Sequence, residues 1–311
     1  MEKTIDIFRN LETRLKEYGA ECRIISANHI PELESEYNMS ISGQQIDKQF
    51  VKGSIQNYID FSVLDRYPTI QSLIIIATPS PEIEVKFKRN DKIHSLIIPP
   101  HYSDRLKVTG NIRRITSQIF DENGYRTFSI VFPKKLLAVR SGLAKYGKNN
   151  ISYVSGMGSY HRLTVFASDL PCKHDSWQKL QILDRCSKCK ACLNNCPTAA
   201  IIGDLFLIKA ERCLTFYNER SGPFPNWIDP KSHNSIVGCM RCQNICPENK
   251  EYKSVLAKEN IFSERETSLI LQGSLFEELP EVLQLKINNL SLKRYYKQLS
   301  RNINLILADN Y

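Results

Sequence analysis

Between Cys186 and Cys246, eight cysteines fall into two runs and one isolated position. Cys186, Cys189, Cys192 and Cys196 are spaced C-x-x-C-x-x-C-x-x-x-C and followed by Pro197. Cys213 stands alone. Cys239, Cys242 and Cys246 are spaced C-x-x-C-x-x-x-C and followed by Pro247. Thiolates three positions apart wrap one face of an iron–sulfur cubane in a tight turn. A further cysteine beside a proline is carried away to a second cluster. The chemistry this spacing supports is one-electron transfer at low potential by two 4Fe–4S clusters. On that logic Cys186, Cys189 and Cys192 share one cluster with Cys246. Cys196, Cys239 and Cys242 share the other, and Cys213 is the nearby candidate for its fourth thiolate.

This is the arrangement of a bacterial-type ferredoxin module. A disulfide framework is the weaker reading, because a chain of 311 residues does not need staples and carries no secretory leader. Structural zinc is the better rival, yet zinc sites usually come as separated C-x-x-C pairs, not as a run of four cysteines ending in Cys-Pro. Cys22 and Cys172 lie outside the array and read as ordinary reduced cysteines.

The rest of the chain must position these thiolates. Its length allows two domains and a tail, and 42% hydrophobic with 24% charged residues describes a globular protein. The stretch Met1–Leu11 starts an amphipathic helix and not an apolar signal core, and no apolar run reaches the length of a membrane span. Oxygen-labile clusters and free thiols fit a reducing cytoplasm. The net charge of +9 is spread along the chain and is compatible with a basic solvated surface, with RNA or with an acidic redox donor.

Apolar spacing predicts a helix over Ile5–Tyr18, and Ser72–Ala77 reads as a buried strand stopped at Thr78-Pro79. Ile93–Ile98 is expected as its partner. A helix is expected over Val108–Phe120, closed by Asn123-Gly124, then a strand within Tyr125–Phe132, a short helix over Lys135–Leu143 and a strand at His161–Ala167. Beyond the cysteines, Ser263 with Glu266 makes a capping box, Pro280 suits the first turn of a second helix and Ser291–Leu307 carries a third. The expected class is α+β. Domains are expected over residues 1–170, 171–250 and 251–311, the last a short helical cap.

Two loops add to the cysteines. One runs Ser141-Gly142-Leu143-Ala144-Lys145-Tyr146-Gly147-Lys148-Asn149-Asn150, with Gly156-Met157-Gly158-Ser159-Tyr160 after it. The other is Gly238-Cys239-Met240-Arg241-Cys242-Gln243-Asn244-Ile245-Cys246-Pro247. With the turn Ser168-Asp169-Leu170-Pro171, they resemble the epoxyqueuosine reductase family, whose members carry an A-G-L-G-W-I-G-K-N loop, a T-D-L-P turn and the same cysteine array. The resemblance covers Leu137 to Asn249, and Leu299-Ser300-Arg301-Asn302 is similar to that family's helical repeat.

The resemblance implies a nitroreductase-like cobalamin-binding α/β domain, a two-cluster ferredoxin-like domain and a helical tail, a plan shared with reductive dehalogenases. It implies that clusters pass electrons to a corrinoid lined by Gly147, Lys148, Asn149, Gly158, Ser159 and Gly238, and that the substrate is a modified tRNA nucleoside. A ferredoxin or flavodoxin would be the electron donor.

The chain departs from the pattern where the family carries its catalytic aspartate, in a V-D-x-x-P context. Counting back from Gly142 reaches Phe128, and Phe128–Lys134 contains no acid. The family's Asp after the first cysteine of the second run is Met240. The chain therefore resembles a divergent paralogue. Reductive cleavage needs a proton as well as electrons, and Tyr146, Lys148 and Tyr160 are the candidates to supply it, on the premise that a nearby cation lowers a tyrosine's pKa. His161, His174, His233, Trp227 and the pair Asn218-Glu219 are further polar or aromatic neighbours of the motifs. No phosphate-cradling glycine motif for a flavin or nicotinamide is present. Three readings follow: a corrinoid-using iron–sulfur reductase, a non-catalytic electron-transfer or corrinoid-reactivating protein, and an RNA-binding module with structural clusters.

Overall fold

In the first helix, α1 (Glu2–Lys16), Ile7, Leu11 and Leu15 recur every four residues and all three are buried. That stripe meets a second one, Ile112, Ile115 and Ile119 of a later helix, in one apolar core. The computed structural model describes residues 2–42, 59–102, 107–202, 208–256 and 261–308. They form two compact units. One comprises Met1–Pro79 with Lys107–Cys189, the other Ser80–Leu106 with Lys190–Tyr311.

The first unit contains, after α1, strand β1 (Glu21–Ser26), helix α2 (Ile30–Ser42), the single turn α3 (Val63–Arg66) and strand β2 (Ser72–Pro79). After the excursion into the other unit come α4 (Val108–Glu122), β5 (Thr127–Ser129), α5 (Lys134–Arg140), β6 (Ala144–Tyr146), β7 (Ser152–Val154) and β8 (His161–Ser168). The sheet order is β1-β2-β8-β5, with every pairing antiparallel. The run SLIIIA of β2 is buried on both faces because β2 is central. Ile74 and Ile76 join the core with α1 and α4, while Leu73 and Ile75 point to the opposite face. β6 and β7 form a separate hairpin.

In the second unit, β3 (Glu82–Arg89) and β4 (Lys92–Ile98) make a hairpin. Its turn residues, Asn90 and Asp91, both have left-handed φ, of 52° and 56°, which matches a two-residue hairpin turn to the twist of its strands. Short strands β9 (Val255–Leu256) and β10 (Ile261–Phe262) run parallel to β3. Helices α6 (Ala191–Asn194), α7 (Leu214–Asn218) and α8 (Arg241–Asn244) lie in the cysteine region. Then come α9 (Glu264–Leu271), α10 (Glu281–Asn289) and α11 (Tyr296–Ala308). Phe87 and Phe262 stack at 4.8 Å in a core completed by Leu283, Ile287, Leu299 and Ile303.

The mixed helix-and-sheet class holds, and the Ser263–Glu266 capping box is present in both directions. The expected pairing of Ile93–Ile98 with Ser72–Ala77 is corrected. β4 pairs with β3, whose alternation of apolar Ile83, Val85 and Phe87 with charged residues marks a half-buried strand. β2 takes β1 and β8 instead. Pro280 caps α10 from just outside its first turn. The compact units also divide the chain differently from boundaries at 170 and 250, because β3 and β4 are built into one sheet with β9 and β10. Among the described residues, no helix is long and apolar enough to cross a membrane.

Candidate iron–sulfur site and the glycine loop

The two cysteine runs fold alike. α6 carries Cys192 and α8 carries Cys242, and each ends at a Cys-Pro. There, Cys196 donates its N–H to Leu193 and Cys246 donates its N–H to Gln243. The short helices are tied together by Asn195, whose Nδ2 donates to the Arg241 carbonyl at 2.7 Å. Arg241 in turn donates to the carbonyls of Ser232 and Lys231. Met240, where the family pattern has an acid, is 1% exposed. A carboxylate there would be desolvated, so methionine suits this packing.

Cys196, Cys213 and Cys239 come together electrostatically. Burial pushes the Cys239 thiol up to about 12. The backbone N–H of Arg241 pulls it down, and Cys213 and Cys196 push it further up. Burial also raises Cys213, which sits at the start of α7. There the N–H groups of Thr215 and Phe216 and the Thr215 hydroxyl aim at its sulfur, and Cys196 opposes its ionisation. Cys196 Sγ accepts the N–H of Ala200 at 3.3 Å. For Cys213 and Cys239, burial and neighbouring sulfurs oppose ionisation while N–H donors favour it, and N–H donors to sulfur are a protein's usual means of tuning a cluster. The isolated Cys213 therefore lies within electrostatic reach of Cys196 and Cys239. Among the described residues no three His, Cys, Asp or Glu side chains converge to hold a single metal ion. A structural zinc would demand four thiolates about 3.8 Å apart, whereas a four-iron cluster spreads its thiolates over separate irons.

The loop before Cys239 is held from three sides. Gly238 has φ of 69°, and a Cβ there would lie 2.6 Å from the Tyr102 ring. The Tyr102 hydroxyl donates to Glu219, and burial followed by the Glu219 charge raises this phenol far above its ordinary value. Asn218 donates to the Gly238 carbonyl at 2.6 Å, and Asn302 donates to the carbonyls of Asn218 and Ile236, both at 2.9 Å. Arg301 donates to the carbonyls of Tyr217 and Gly222 and stacks over Phe224. Tyr102 carried no sequence signal; the Arg301-Asn302 pair did, as part of the similarity to a helical repeat.

In the first unit, the glycine loop is the turn of the β6–β7 hairpin. Gly147 takes the place a Cβ would contest, 2.5 Å from the Tyr153 ring and 2.6 Å from Asn149 Oδ1. Asn149 is buried, donates to the Tyr153 hydroxyl at 3.0 Å and accepts from the Ile151 N–H. The carbonyl of Gly158 accepts from His161 Nδ1 at 3.0 Å, and the Ser152 hydroxyl donates to Nε2 at 3.1 Å. This geometry sets the neutral tautomer, and burial lowers the His161 pKa to about 4. Ser159 and Tyr160 are buried and Lys148 is half-buried. Tyr146 is buried, and burial with the Glu36 charge raises its phenol, the opposite of the lowering expected from a neighbouring cation. Packing within the chain accounts for glycine at 147 and 238, so neither position requires a corrinoid to explain it.

His233 meets Phe224 edge-on at 4.5 Å and His174 is exposed. Trp227 packs edge-on against Tyr217 under the Arg212 guanidinium. Phe128, the position reached by counting back from Gly142, packs against Tyr67 at 4.7 Å and under Arg126.

These features define a two-cluster iron–sulfur module, and residues 185–249 match the family model described as a 4Fe-4S double cluster binding domain. In sequence the chain is similar to epoxyqueuosine reductases. It is 30% identical over 179 residues to that of Pseudomonas aeruginosa, covering 57% of this chain and 46% of that protein. It is 26% identical over 268 residues to that of Atelocyanobacterium thalassa, covering 81% and 82%. The chain thus spans less than half the length of the Pseudomonas relative. The solved structure of an epoxyqueuosine reductase with a tRNA-Tyr epoxyqueuosine-modified stem loop matches with a TM-score of 0.69 at 21% identity, over 98% of this chain and 82% of that one. The chain is epoxyqueuosine reductase-like in sequence and shares that fold.

Proposed function

We propose that this protein is an iron–sulfur reductase that feeds electrons through two 4Fe–4S clusters to a substrate on a modified tRNA. The observation that carries the reading is the grouping of the Cys196, Cys213 and Cys239 thiols inside a matched double-cluster domain. Cys242 completes that set, and Cys186, Cys189, Cys192 and Cys246 hold the other cluster. The clusters supply single electrons when bound. The chain's own part is to bury the thiolates, aim N–H donors at the sulfurs and keep the Gly238–Cys239 backbone fixed.

The RNA substrate is supported by the structural likeness to a reductase solved with a tRNA stem loop and by the net charge of +9. A ferredoxin or flavodoxin in the cytoplasm is the natural donor for low-potential clusters. A corrinoid acceptor rests on the resemblance. Of the proton-donor candidates, Tyr146 holds its proton tightly, which leaves Lys148 and Tyr160.

Anaerobic reconstitution with iron and sulfide tests the cluster claim by iron content and by the electron paramagnetic resonance of the reduced protein. Titration with cob(II)alamin tests the corrinoid. Reduction of an epoxyqueuosine-containing stem loop tests the activity. One observation favours a second reading, a non-catalytic electron-transfer protein: the stretch Phe128–Lys134, where the resemblance would put the family's acid, contains none, and Phe128 packs between Tyr67 and Arg126. Clusters that reduce and reoxidise without turnover of the stem loop would select it.

A further inference from the structure

Arg140 closes α5 and is the one buried arginine or lysine among the described residues. Two carboxylates of α2 hold its guanidinium: Nη2 pairs with Glu32, and Nε lies 3.1 Å from Glu36 Oε2. The same guanidinium meets the chain that leads out of β8. Nη1 donates to the Gln178 carbonyl at 2.9 Å, and the group lies 4.3 Å from the Trp177 ring centroid. The Gln178 N–H donates back to the Arg140 carbonyl at 2.8 Å. Room for this approach is built in at Gly142, where φ is 72° and a Cβ would collide with the Gln178 side-chain amide.

None of the residues 171–191 is buried, although Cys186 and Cys189 are among them. Burial in the core therefore does not place this stretch; polar contacts do. Ser176 donates through its N–H and its hydroxyl to the Ile24 carbonyl, at 3.2 and 2.7 Å. Asp175 Oδ2 lies 2.7 Å from His29 Nε2, and the His29 ring stacks on Trp177 at 4.2 Å. Beyond Gln178 the chain runs beside β6, where Ile182 pairs in parallel with Tyr146. The Tyr146 N–H donates to the Gln181 carbonyl at 2.8 Å, and the Leu183 N–H donates to the Tyr146 carbonyl at 2.9 Å. The Leu183 carbonyl then accepts the Cys186 N–H at 2.9 Å. A continuous hydrogen-bonded path thus runs from Arg140 to a cluster cysteine.

We infer that Arg140 is a positioning residue for the cluster of Cys186, Cys189, Cys192 and Cys246. Its guanidinium and carbonyl fix Trp177 and Gln178. They in turn set the register in which residues 181–183 join β6, and that register sets where Cys186 presents its sulfur. The inference rests on the two-cluster reading of the cysteine array. Groups that orient a metal ligand without touching the metal govern how firmly it is held and tune its potential. Lysine in place of this arginine would keep the charge but lose the planar fork that reaches two carboxylates, a carbonyl and a ring together.

The test uses the full chain, reconstituted anaerobically with iron and sulfide. Wild type, Arg140→Lys and Trp177→Leu are compared, with Cys186→Ser and Cys213→Ser marking the signal of each cluster. In Arg140→Lys and Trp177→Leu the paramagnetic resonance signal and reduction potential of the Cys186 cluster should shift, while those of the other cluster keep wild-type values. In air, about four of about eight iron atoms should leave first. Before iron is added, amide hydrogen exchange at Leu183 and Cys186 should quicken, because local opening becomes easier. Trp177→Leu keeps the carboxylate pairs of Arg140, so it decides the matter if Arg140→Lys does not fold. Folded variants with both clusters unchanged overturn the inference and leave the two-cluster reading standing. Variants that disturb both clusters equally, or that melt lower with neither signal shifted, show that Arg140 serves only the fold and overturn it too. A wild type that takes up no iron removes the reading and the inference together.

Discussion

Asn302 Nδ2 donates to the Asn218 carbonyl at 2.9 Å, while Asn218 Nδ2 donates to the Gly238 carbonyl at 2.6 Å. Both side chains are fully buried. The C-terminal helix therefore reaches, through one asparagine and then another, the backbone just before a cluster cysteine. Asn302→Ala would leave the Asn218 and Ile236 carbonyls without this donor, and each buried group left unsatisfied costs about 1–3 kcal/mol. The expected result is a lower melting temperature together with faster cluster loss in air. A variant that melts like the wild type and keeps its iron would show that this chain of amides does not support the site.

Cys213→Ser should halve the iron content of the reconstituted protein, from about eight to about four atoms per chain, because it removes one of four thiolates from one cluster. Cys22→Ser and Cys172→Ser should leave iron unchanged. Burial raises both of these thiols, Cys172 to about 12, so they should react slowly with thiol reagents at neutral pH. Full iron in Cys213→Ser would remove Cys213 from the ligand set.

Gly238→Ala should abolish one cluster. The alanine would meet both a left-handed φ, at about 1–2 kcal/mol, and the Tyr102 ring, where overpacking typically costs about 1–3 kcal/mol. The double variant Gly238→Ala with Tyr102→Leu should regain part of the stability, because only the clash is relieved. Equal destabilisation in single and double variants would mean that Tyr102 does not set the requirement at 238.

His161 carries a pH signature. Its folded pKa, about 4, lies below the ordinary 6.5, so the unfolded chain binds the extra proton first as pH falls. The stabilisation is complete above about pH 6.5 and is lost progressively toward pH 4, by an amount on the order of 3 kcal/mol. Denaturant melts across this range should show that loss, and His161→Gln should flatten it. A wild type equally stable at both ends would contradict the buried neutral imidazole.

Much of the candidate site was legible because its information is local. Cysteine spacing is a covalent property of a few residues, and so is the Ser263–Glu266 capping box. The hairpin turn at Asn90-Asp91 and the alternation of β3 were equally local signals, yet the apolar run of β2 drew β4 toward the wrong partner. Apolarity marks burial but does not say against which strand. The tyrosine expectation failed at Tyr146 for a related reason: a lysine two positions away in sequence says nothing about how deeply the phenol is buried.

The sequence by itself determined the cluster chemistry, since eight thiolates at ferredoxin spacing have one evident use. The tertiary structure decided what surrounds them. It brought Cys213 to Cys196 and Cys239 and laid Tyr102 over Gly238 from far away in the chain. Such contacts join residues distant in sequence. Their energies come from burial, hydrogen bonding and close packing, which exist only once the chain has folded.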